Sequence, residues 1–282
     1  MDNLFGGRTI AATAPLAPYL GGKRNLARRI VRAIDAVPHD GYTEVFLGMG
    51  GIFFRRRHVP KAEIVNDLSG DVAGLFRILQ RHYVPFLEML RYQITSRREF
   101  DRLSRTDPAT LTDLERAARF LYLQRTAYGG KVVGRNYGVD PIAPGSFDMR
   151  RLGAMLEAVH ERLAGVAIEN LPYDQVLARY DRPGMLFYLD PPYFGCEADY
   201  GTGMFRASDF NRLAETLGRL EGTFILSIND TPQVRRIFEP FDLEAVQTTY
   251  QVSGQQTEAK ELIVRPAGRG NRGNASPRTP LG

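Results

Sequence analysis

The chain has 282 residues, enough for the core of one large domain or of one domain with a smaller insert. No apolar run approaches the roughly 20 residues that span a bilayer, and no signal peptide opens the chain. The single cysteine excludes an internal disulfide, so we expect a cytoplasmic protein without membrane contact. The four histidines lack ligand spacing, so no metal site is expected. The net charge of +5 fits either a polyanionic partner or a solubilising surface.

The first third of the chain predicts a unit of a parallel α/β sheet. Residues 1–17 are polar and rich in Gly and Ala, and we expect them to form a loose N-terminal arm. Hydrophobic periodicity then predicts a helix over 25–37, a strand over 42–47, a glycine turn, a helix over 51–57, a strand over 62–65 and a helix over 70–80. A strand, glycine turn, helix and strand in this order are typical of a βαβ unit.

The middle of the chain has a different character. Residues 77–125 read as helices with ten arginines against six acidic residues. The segment over 128–147 is rich in Gly, Tyr and basic residues and predicts an exposed hairpin or loop. We therefore expect a helical, arginine-rich insert over 77–154, interrupting a domain formed by residues 18–76 and 155–266.

Strand patterns return in the last part of the chain. They are predicted over 166–169, 185–189, 224–228, 244–252 and 260–264. Thr231 and Pro232 begin a helix that ends at Phe238. The last two strands flank Ser253-Gly254 and predict an antiparallel hairpin at one edge of the sheet, and residues 267–282 predict a disordered basic tail. The fold class expected is α/β, with a doubly wound, mostly parallel sheet of Rossmann-like type.

A glycine turn and an acidic residue indicate a nucleoside-bearing cofactor. The turn Phe46-Leu47-Gly48-Met49-Gly50-Gly51 follows a strand, and Asp67 ends the next strand 19 residues after Gly48. An acid at this position of a doubly wound fold accepts hydrogen bonds from ribose hydroxyls. Position 53 is Phe where a dinucleotide fold would have Gly, so pyrophosphate binding is not favoured. A tight turn without a ligand stays open for this motif alone.

The tetrapeptide Asp190-Pro191-Pro192-Tyr193 follows the buried strand over 185–189. Two prolines make the corner rigid, at the strand end where open α/β sheets bind ligands. A carboxylate and a backbone carbonyl there suit the two N–H bonds of a planar amine whose lone pair must attack. The tyrosine offers an aromatic face for a base. The alternative is a rigid turn whose aspartate only caps a helix.

These segments resemble the Dam-type (class α) DNA adenine-N6 methyltransferases over residues 18–266. The resemblance adds Pro18-Tyr19-Leu20-Gly21-Gly22-Lys23, similar to the family's aromatic-x-Gly-Gly-Lys motif, and Asn66-Asp67. It implies S-adenosylmethionine as cofactor and an adenine flipped from double-stranded DNA as methyl acceptor. The catalytic residues implied are Asp190, Pro191, Pro192 and Tyr193, and the cofactor-binding residues are Tyr19, Lys23, Phe46, Gly48, Gly50, Asp67 and Asp190.

The resemblance also implies a DNA-facing segment. Residues 119–131 resemble the start of the family's target-recognition domain, and we expect DNA contacts from Arg125, Tyr128, Lys131, Arg135 and Asn136. Mere solvation or phosphate contact is the alternative for each. The segment diverges from the GATC-reading pattern after Tyr128, so that specificity is not carried over. Residues 194–205 predict a mobile loop, with Tyr200 and Phe205 as wedges or lids and Cys196 as a bystander.

Two other functions stay open at this stage. The same chemistry could act on the amine of cytosine, on adenine in RNA or on a protein glutamine amide. The fold could also serve as a DNA-binding module without catalysis, although the intact Asp190 and Lys23 argue against it. A dehydrogenase would leave Asp190–Tyr193 and Tyr19–Lys23 unexplained. A monomer is the expected state.

Overall fold

A computed structural model describes residues 7–138, 145–197, 205–252 and 255–268. The strands in chain order are β1 (Arg8–Thr9), β2 (Gly41–Glu44), β3 (His58–Val59), β4 (Ala62–Asn66), β5 (Ala167–Glu169), β6 (Met185–Leu189), β7 (Thr223–Asn229), β8 (Asp242–Val252) and β9 (Gln255–Arg265). The α-helices are α1 (Ala27–Asp35), α2 (Gly70–Arg81), α3 (Tyr83–Arg91), α4 (Arg97–Arg105), α5 (Asp113–Thr126), α6 (Met149–Arg162), α7 (Tyr173–Tyr180), α8 (Ala207–Leu217) and α9 (Pro232–Ile237).

Seven of these strands form the main sheet, in the order β5-β4-β2-β6-β7-β9-β8. The first five run parallel, whereas β9 is antiparallel to both β7 and β8. From β2 the chain moves outward to β4 and β5 and then returns to β6 and β7, so the strand order reverses between β2 and β6. Open α/β sheets bind ligands at the carboxyl ends of the strands at such a reversal. The doubly wound α/β fold and the edge hairpin are confirmed.

Strand β6 shows why the sheet is covered on both faces. All five of its residues are buried, and successive side chains point to opposite faces. Leu186 and Tyr188 join the hydrophobic cluster that contains α1 to α6, whereas Phe187 and Leu189 join the cluster that contains α7 to α9. Near-continuous apolar strands of this kind are expected of a parallel sheet buried between two helical layers.

The helices predicted for the insert share their hydrophobic core with the sheet domain. Phe86 of α3, Phe120 of α5 and Leu156 of α6 belong to the same cluster as Tyr42 of β2. Thr112 begins α5 with a capping box in which its hydroxyl and Glu115 satisfy each other's backbone N–H groups. Among the described residues, no helix is both long and apolar enough to cross a membrane.

Two expectations about the first part of the chain are wrong. Residues 7–17 are not a loose arm, because β1 pairs with β3 and Leu16 is completely buried. The helix expected over 51–57 is a single 3-10 turn over Phe53–Arg55. The backbone becomes extended at Arg56, whose side chain is drawn into the core by an acid on β4. Residues 1–6 and most of the predicted tail, from 269 onward, lie outside the described residues.

That acid is Glu63, which accepts hydrogen bonds from two buried arginines. The Arg56 Nη1 atom lies 2.8 Å from Glu63 Oε1, and the Arg162 Nη1 atom lies 2.7 Å from Glu63 Oε2. The Arg56 guanidinium covers the Tyr42 ring at 3.5 Å, and that of Arg162 covers the Phe53 ring at 3.9 Å. The cluster joins β4 to α6 and to the segment before β3. Its two positive charges depend on one carboxylate for compensation.

The substitution Glu63→Gln should destabilise the protein by about 3–5 kcal/mol, because it leaves two buried arginines without a counter-charge. Equilibrium unfolding in urea would measure the change. The matched control is Glu88→Gln on α3, whose ion pair with Arg91 is exposed on both sides and should change stability by less than about 1 kcal/mol. Equal effects of the two substitutions would contradict this account of the core.

Candidate active site

A cavity of about 560 Å³ opens where β2, β4 and β6 end. Its walls come from four parts of the chain that the strand reversal brings together. They are residues 14–24, the turn after β2, the start of the loop after β4 and the end of β6, with one arginine from α5. Of the predicted site residues, those lining the cavity are Tyr19, Lys23, Phe46, Gly48, Asp67, Asp190, Pro192 and Arg125.

The glycine turn depends on two left-handed backbone positions. Gly48 has φ +52°, and a Cβ there would lie 2.9 Å from the Tyr19 ring, so the aromatic ring packs directly on this glycine. Gly50 has φ +69°, and a Cβ there would lie 2.3 Å from the Phe54 ring. Gly50 therefore serves the packing beneath the turn and does not line the cavity, whereas Gly48 and Gly51 do.

Asp67 is held by the glycine turn itself. Its Oδ2 atom accepts the backbone N–H of Gly48 at 2.8 Å, and its Oδ1 atom accepts that of Ser69 at 2.9 Å. Burial raises the pKa of Asp67 to about 6, although these two hydrogen bonds favour the ionised form. The neighbouring Asn66 donates to the carbonyls of Val45 and Leu171 and so fixes the end of β4.

Lys23 occupies the centre of a buried polar cluster at the end of β6. Its Nζ atom lies 2.9 Å from Asp190 Oδ1, 3.1 Å from Glu261 Oε2 and 2.7 Å from the hydroxyl of Tyr193. The same ammonium lies 4.3 Å from the centre of the Tyr193 ring. Tyr193 in turn donates its hydroxyl proton to Glu261 Oε1 at 2.6 Å. The motif over residues 18–23 and the tetrapeptide over 190–193 thus meet through direct contacts.

The Oδ1 atom of Asp190 receives all the hydrogen bonds made to this carboxylate by the described side chains. Besides Lys23, the hydroxyl of Ser227 donates to Oδ1 at 3.3 Å. The side chain is about 20% exposed, so Oδ2 is the oxygen available to a ligand. Burial raises the pKa of Asp190 to about 6, against the effect of Lys23, which lowers it.

No role was assigned from the sequence to four polar residues near Asp190, which are Ser227, Tyr188, Glu261 and Glu44. Ser227 on β7 bridges Asp190 and the hydroxyl of Tyr188, which lies 2.8 Å away. Glu261 on β9 lies opposite Asn229 at the end of β7. Glu44, which lines the cavity, accepts the Tyr42 hydroxyl at 2.7 Å, and burial raises its pKa to about 8. The available signal was a polar residue within an otherwise apolar strand pattern.

Two residues expected at DNA point inward. The Arg125 guanidinium donates to the backbone carbonyls of Leu16 and Ser146 and lines the cavity, so the side chain ties down the segment expected to be loose. Arg135 is half-buried and donates to Gln124 Oε1 at 3.2 Å. These contacts depend on long-range packing against α5, which local sequence cannot reveal.

The other three expected contacts lie on the loop that follows α5. Tyr128, Lys131 and Asn136 have exposed side chains. The loop is closed by an antiparallel bridge between Ala127 and Tyr137 and by the Tyr128 N–H, which donates to the Asn136 carbonyl at 2.8 Å. Their predicted role stays a prediction. Residues 139–144 lie outside the described residues.

The prediction that Phe205 is a wedge or lid is wrong. Its side chain is 4% exposed and packs against Phe46, Tyr173 and Phe210. Tyr200, the other residue expected in this role, lies outside the described residues. Cys196 is exposed.

The cavity fits an S-adenosylmethionine molecule by its donor set. An aspartate beside a glycine turn suits ribose hydroxyls, and Tyr19 and Phe46 provide aromatic surface. The turn presents no helix N-terminus of the kind that binds a pyrophosphate, because only a 3-10 turn follows it. In the described part of the chain, no three His, Cys, Asp or Glu residues are grouped so that they could hold a metal ion.

Comparison with known proteins gives relatives along most of the chain. The sequence is 24% identical over 272 residues to the type II methyltransferase M1.LlaDCHI of Lactococcus lactis subsp. cremoris, covering 89% of this chain and 94% of that protein. It is 21% identical over 231 residues to the type II methyltransferase M.CviBI of Paramecium bursaria Chlorella virus NC1A, covering 80% and 87%. It is 24% identical over 257 residues to the retron Ec67 DNA adenine methylase of Escherichia coli, covering 87% and 88%.

A family profile decides the assignment. Residues 19–252 match the profile described as D12 class N6 adenine-specific DNA methyltransferase. The match begins at the aromatic residue that packs on the glycine turn and includes the Asp-Pro-Pro-Tyr corner. An S-adenosylmethionine-dependent reaction on DNA follows from this assignment. The chain belongs to the D12 class N6 adenine-specific DNA methyltransferase family and is a DNA adenine methyltransferase.

Proposed function

We propose that this enzyme methylates the exocyclic 6-amino group of an adenine that has been flipped out of double-stranded DNA. Asp190 is the principal catalytic residue in this proposal. The observation that carries it is the pairing of Asp190, in which Oδ1 is held by Lys23 and Ser227 while Oδ2 is left for a ligand. A base stacked inside a duplex cannot reach a carboxylate at the end of a buried strand, so the adenine must leave the helix.

Asp190 and the carbonyl of Pro191 accept the two N–H bonds of the target amine. Accepting both favours a pyramidal nitrogen, whose lone pair is no longer delocalised into the purine ring. Pro191 and Pro192 are buried and fix the backbone, so the two acceptors need no rearrangement when the amine arrives. The negative charge at Oδ2 also stabilises the positive charge that develops on the attacked nitrogen.

Tyr193 supplies the aromatic face on which the flipped adenine stacks. Its hydroxyl is fixed by Lys23 and Glu261, so the orientation of the ring is set before the base enters. Lys23 in turn keeps Asp190 ionised by direct ion pairing. These three contacts support a site that is organised before substrate binds.

The cofactor is held by the opposite part of the cavity. Asp67 accepts the ribose hydroxyls, while Tyr19, Phe46 and the backbone beside Gly48 surround the nucleoside. When bound, S-adenosylmethionine supplies a sulfonium methyl group whose bond breaks with its electron pair remaining on sulfur. Once its new bond to carbon has formed, the amine releases one proton to Oδ2 of Asp190, which passes it to water.

Tyr128, Lys131 and Asn136 are the residues we propose to contact DNA. They are exposed on the loop after α5, whose backbone is anchored beside residues 18–20 of the cavity wall. A lysine can pair with phosphate, and an asparagine can pair with adenine in the major groove.

Asp190→Ala should reduce methyl transfer by at least about 100-fold, because it removes the acceptor of the target amine. Binding of S-adenosylmethionine should change by less than about threefold, as measured by calorimetry. Transfer of tritiated methyl groups to an adenine-containing duplex would measure the rate. Asp174→Ala, in an exposed ion pair with Arg212, serves as the control with unchanged activity. Normal methylation by Asp190→Ala would remove the proposed mechanism.

Cofactor affinity should fall as the pH decreases through about 6. Because burial raises the pKa of Asp67 to about 6, its carboxylate is ionised above this pH and protonated below it. The dissociation constant should then rise about tenfold for each pH unit below 6. Asp67→Asn should bind weakly at pH 8 and lose this dependence between pH 5 and 7. The same pH dependence in wild type and Asp67→Asn would show that another group is responsible.

The choice of acceptor can be tested directly. When the purified enzyme is incubated with labelled S-adenosylmethionine, radioactivity should be incorporated into duplex DNA and not into RNA or protein isolated from the same cells. Long-read sequencing of DNA from cells that express the chain should then report N6-methyladenine within one sequence context. Labelling of RNA or protein in place of DNA would contradict the proposed acceptor.

A further inference from the structure

Glu261 is a buried acid beside Asp190 that the proposed reaction does not use and that does not line the cavity. It lies on β9 opposite Asn229, and because β9 runs antiparallel to β7, it faces the same sheet edge as Asp190. Its side chain is only about 1% exposed. A carboxylate buried this deeply costs free energy unless its partners compensate it, and its partners are Lys23 and Tyr193.

The charges of the cluster explain why a second carboxylate is useful there. Lys23 carries one positive charge, and Asp190 and Glu261 each carry a negative charge, so the three groups together have a charge of −1. With Asp190 alone, the buried ammonium and the carboxylate would form a neutral pair. Sharing the ammonium with Glu261 leaves Oδ2 of Asp190 with negative charge directed at the cavity.

Tyr193 depends on the same carboxylate. Its hydroxyl accepts from Lys23 at 2.7 Å and donates to Glu261 at 2.6 Å. A phenol that both accepts and donates in this way has a fixed position for its oxygen, and the ring plane follows. The hydroxyl proton therefore points to β9, away from the cavity that the base would enter.

We propose that Glu261 is a positioning residue for methyl transfer, holding the Tyr193 ring and sharing the Lys23 ammonium so that Oδ2 of the ionised Asp190 is a stronger hydrogen-bond acceptor for the target amine. This role rests on the proposed function, because it acts through Asp190 and Tyr193. Glu261 does not itself touch the substrate, since its carboxylate is buried behind the lysine and the tyrosine hydroxyl.

A positioning role has an electrostatic signature at Asp190. The charged or titratable groups that face Asp190 are Lys23, Glu261 of β9, Tyr188 of β6 and Glu44 of β2, together with the hydroxyl of Ser227 on β7. The negative charge of Glu261 raises the pKa of Asp190. Removing that charge should lower this pKa, so activity should persist to lower pH than in the wild type.

The test compares Glu261→Gln with the wild type in full pH profiles of kcat. We expect kcat at pH 8 to fall about 10- to 100-fold through loss of alignment, while the dissociation constant of S-adenosylmethionine changes less than twofold. The acid limb of the profile should move to lower pH by about half a unit. Glu244→Gln is the matched control, because Glu244 belongs to the same hairpin and pairs with Arg29 and Arg265 outside the site.

Glu261→Asp separates the two parts of the role. It keeps the negative charge but shortens the side chain, so kcat should fall while the acid limb stays at the wild-type pH. Unchanged kcat in Glu261→Gln, or a fall in kcat with an unshifted acid limb, would overturn the proposal. A failure of the proposed function would be distinguishable, because Asp190→Ala would then remain active regardless of Glu261.

Discussion

The reversal of strand order between β2 and β6 is the constraint on which the site depends. The connections that follow β2 and β6 leave the sheet in opposite directions, so a crevice opens at the carboxyl ends of these two strands. Residues from both sides of the reversal line this crevice. Glu44 ends β2 and the glycine turn follows it, Asp67 follows β4, and Asp190 follows β6. Residues separated by up to 178 positions, from Ala14 to Pro192, therefore share one cavity, and no single strand carries enough of them to act alone.

The antiparallel hairpin extends this convergence. Because β9 runs opposite to β7, the residue at the start of its paired segment lies beside the end of β7. Glu261 thus reaches Lys23 from a strand that a purely parallel sheet would direct elsewhere, whereas Ser227 reaches Asp190 from the parallel strand β7. The buried lysine is compensated by Glu261 on β9 and by Asp190, which directly follows β6.

Much of the fold could be predicted because its signals are local. Buried apolar runs gave β4, β6 and β7 to within one or two residues, and Thr231 with Pro232 marked the start of α9. The tetrapeptide over 190–193 is also a local signal, and it indicated the family. The profile match confirms the family. The catalytic and binding roles assigned to individual residues stay predictions.

The errors have long-range causes. The segment over 7–17 looks loose because its partners, β3 and α5, lie far away in sequence. The backbone at Arg56 is extended and not helical, because the side chain pairs with the buried Glu63. Phe205 is buried because it packs in an aromatic cluster with Phe46 and Tyr173. No role was assigned to Glu261 from the sequence because Lys23 and Tyr193 come from two other segments of the chain, so no spacing rule within one motif could identify the contact.

The buried side chain of Gln124 connects the cavity wall at Pro18 to the loop after α5. Its amide donates to the carbonyl of Pro18 at 2.9 Å and to that of Gly130 at 2.7 Å, while Leu20 donates to Gly130 at 3.1 Å. A shift of the loop after α5 therefore changes its contacts with residues 18–20 of the cavity wall, and a shift of the wall changes its contacts with the loop. Where DNA binds at this loop, as proposed, thermodynamic reciprocity requires that DNA changes the affinity for S-adenosylmethionine by the same factor as S-adenosylmethionine changes the affinity for DNA.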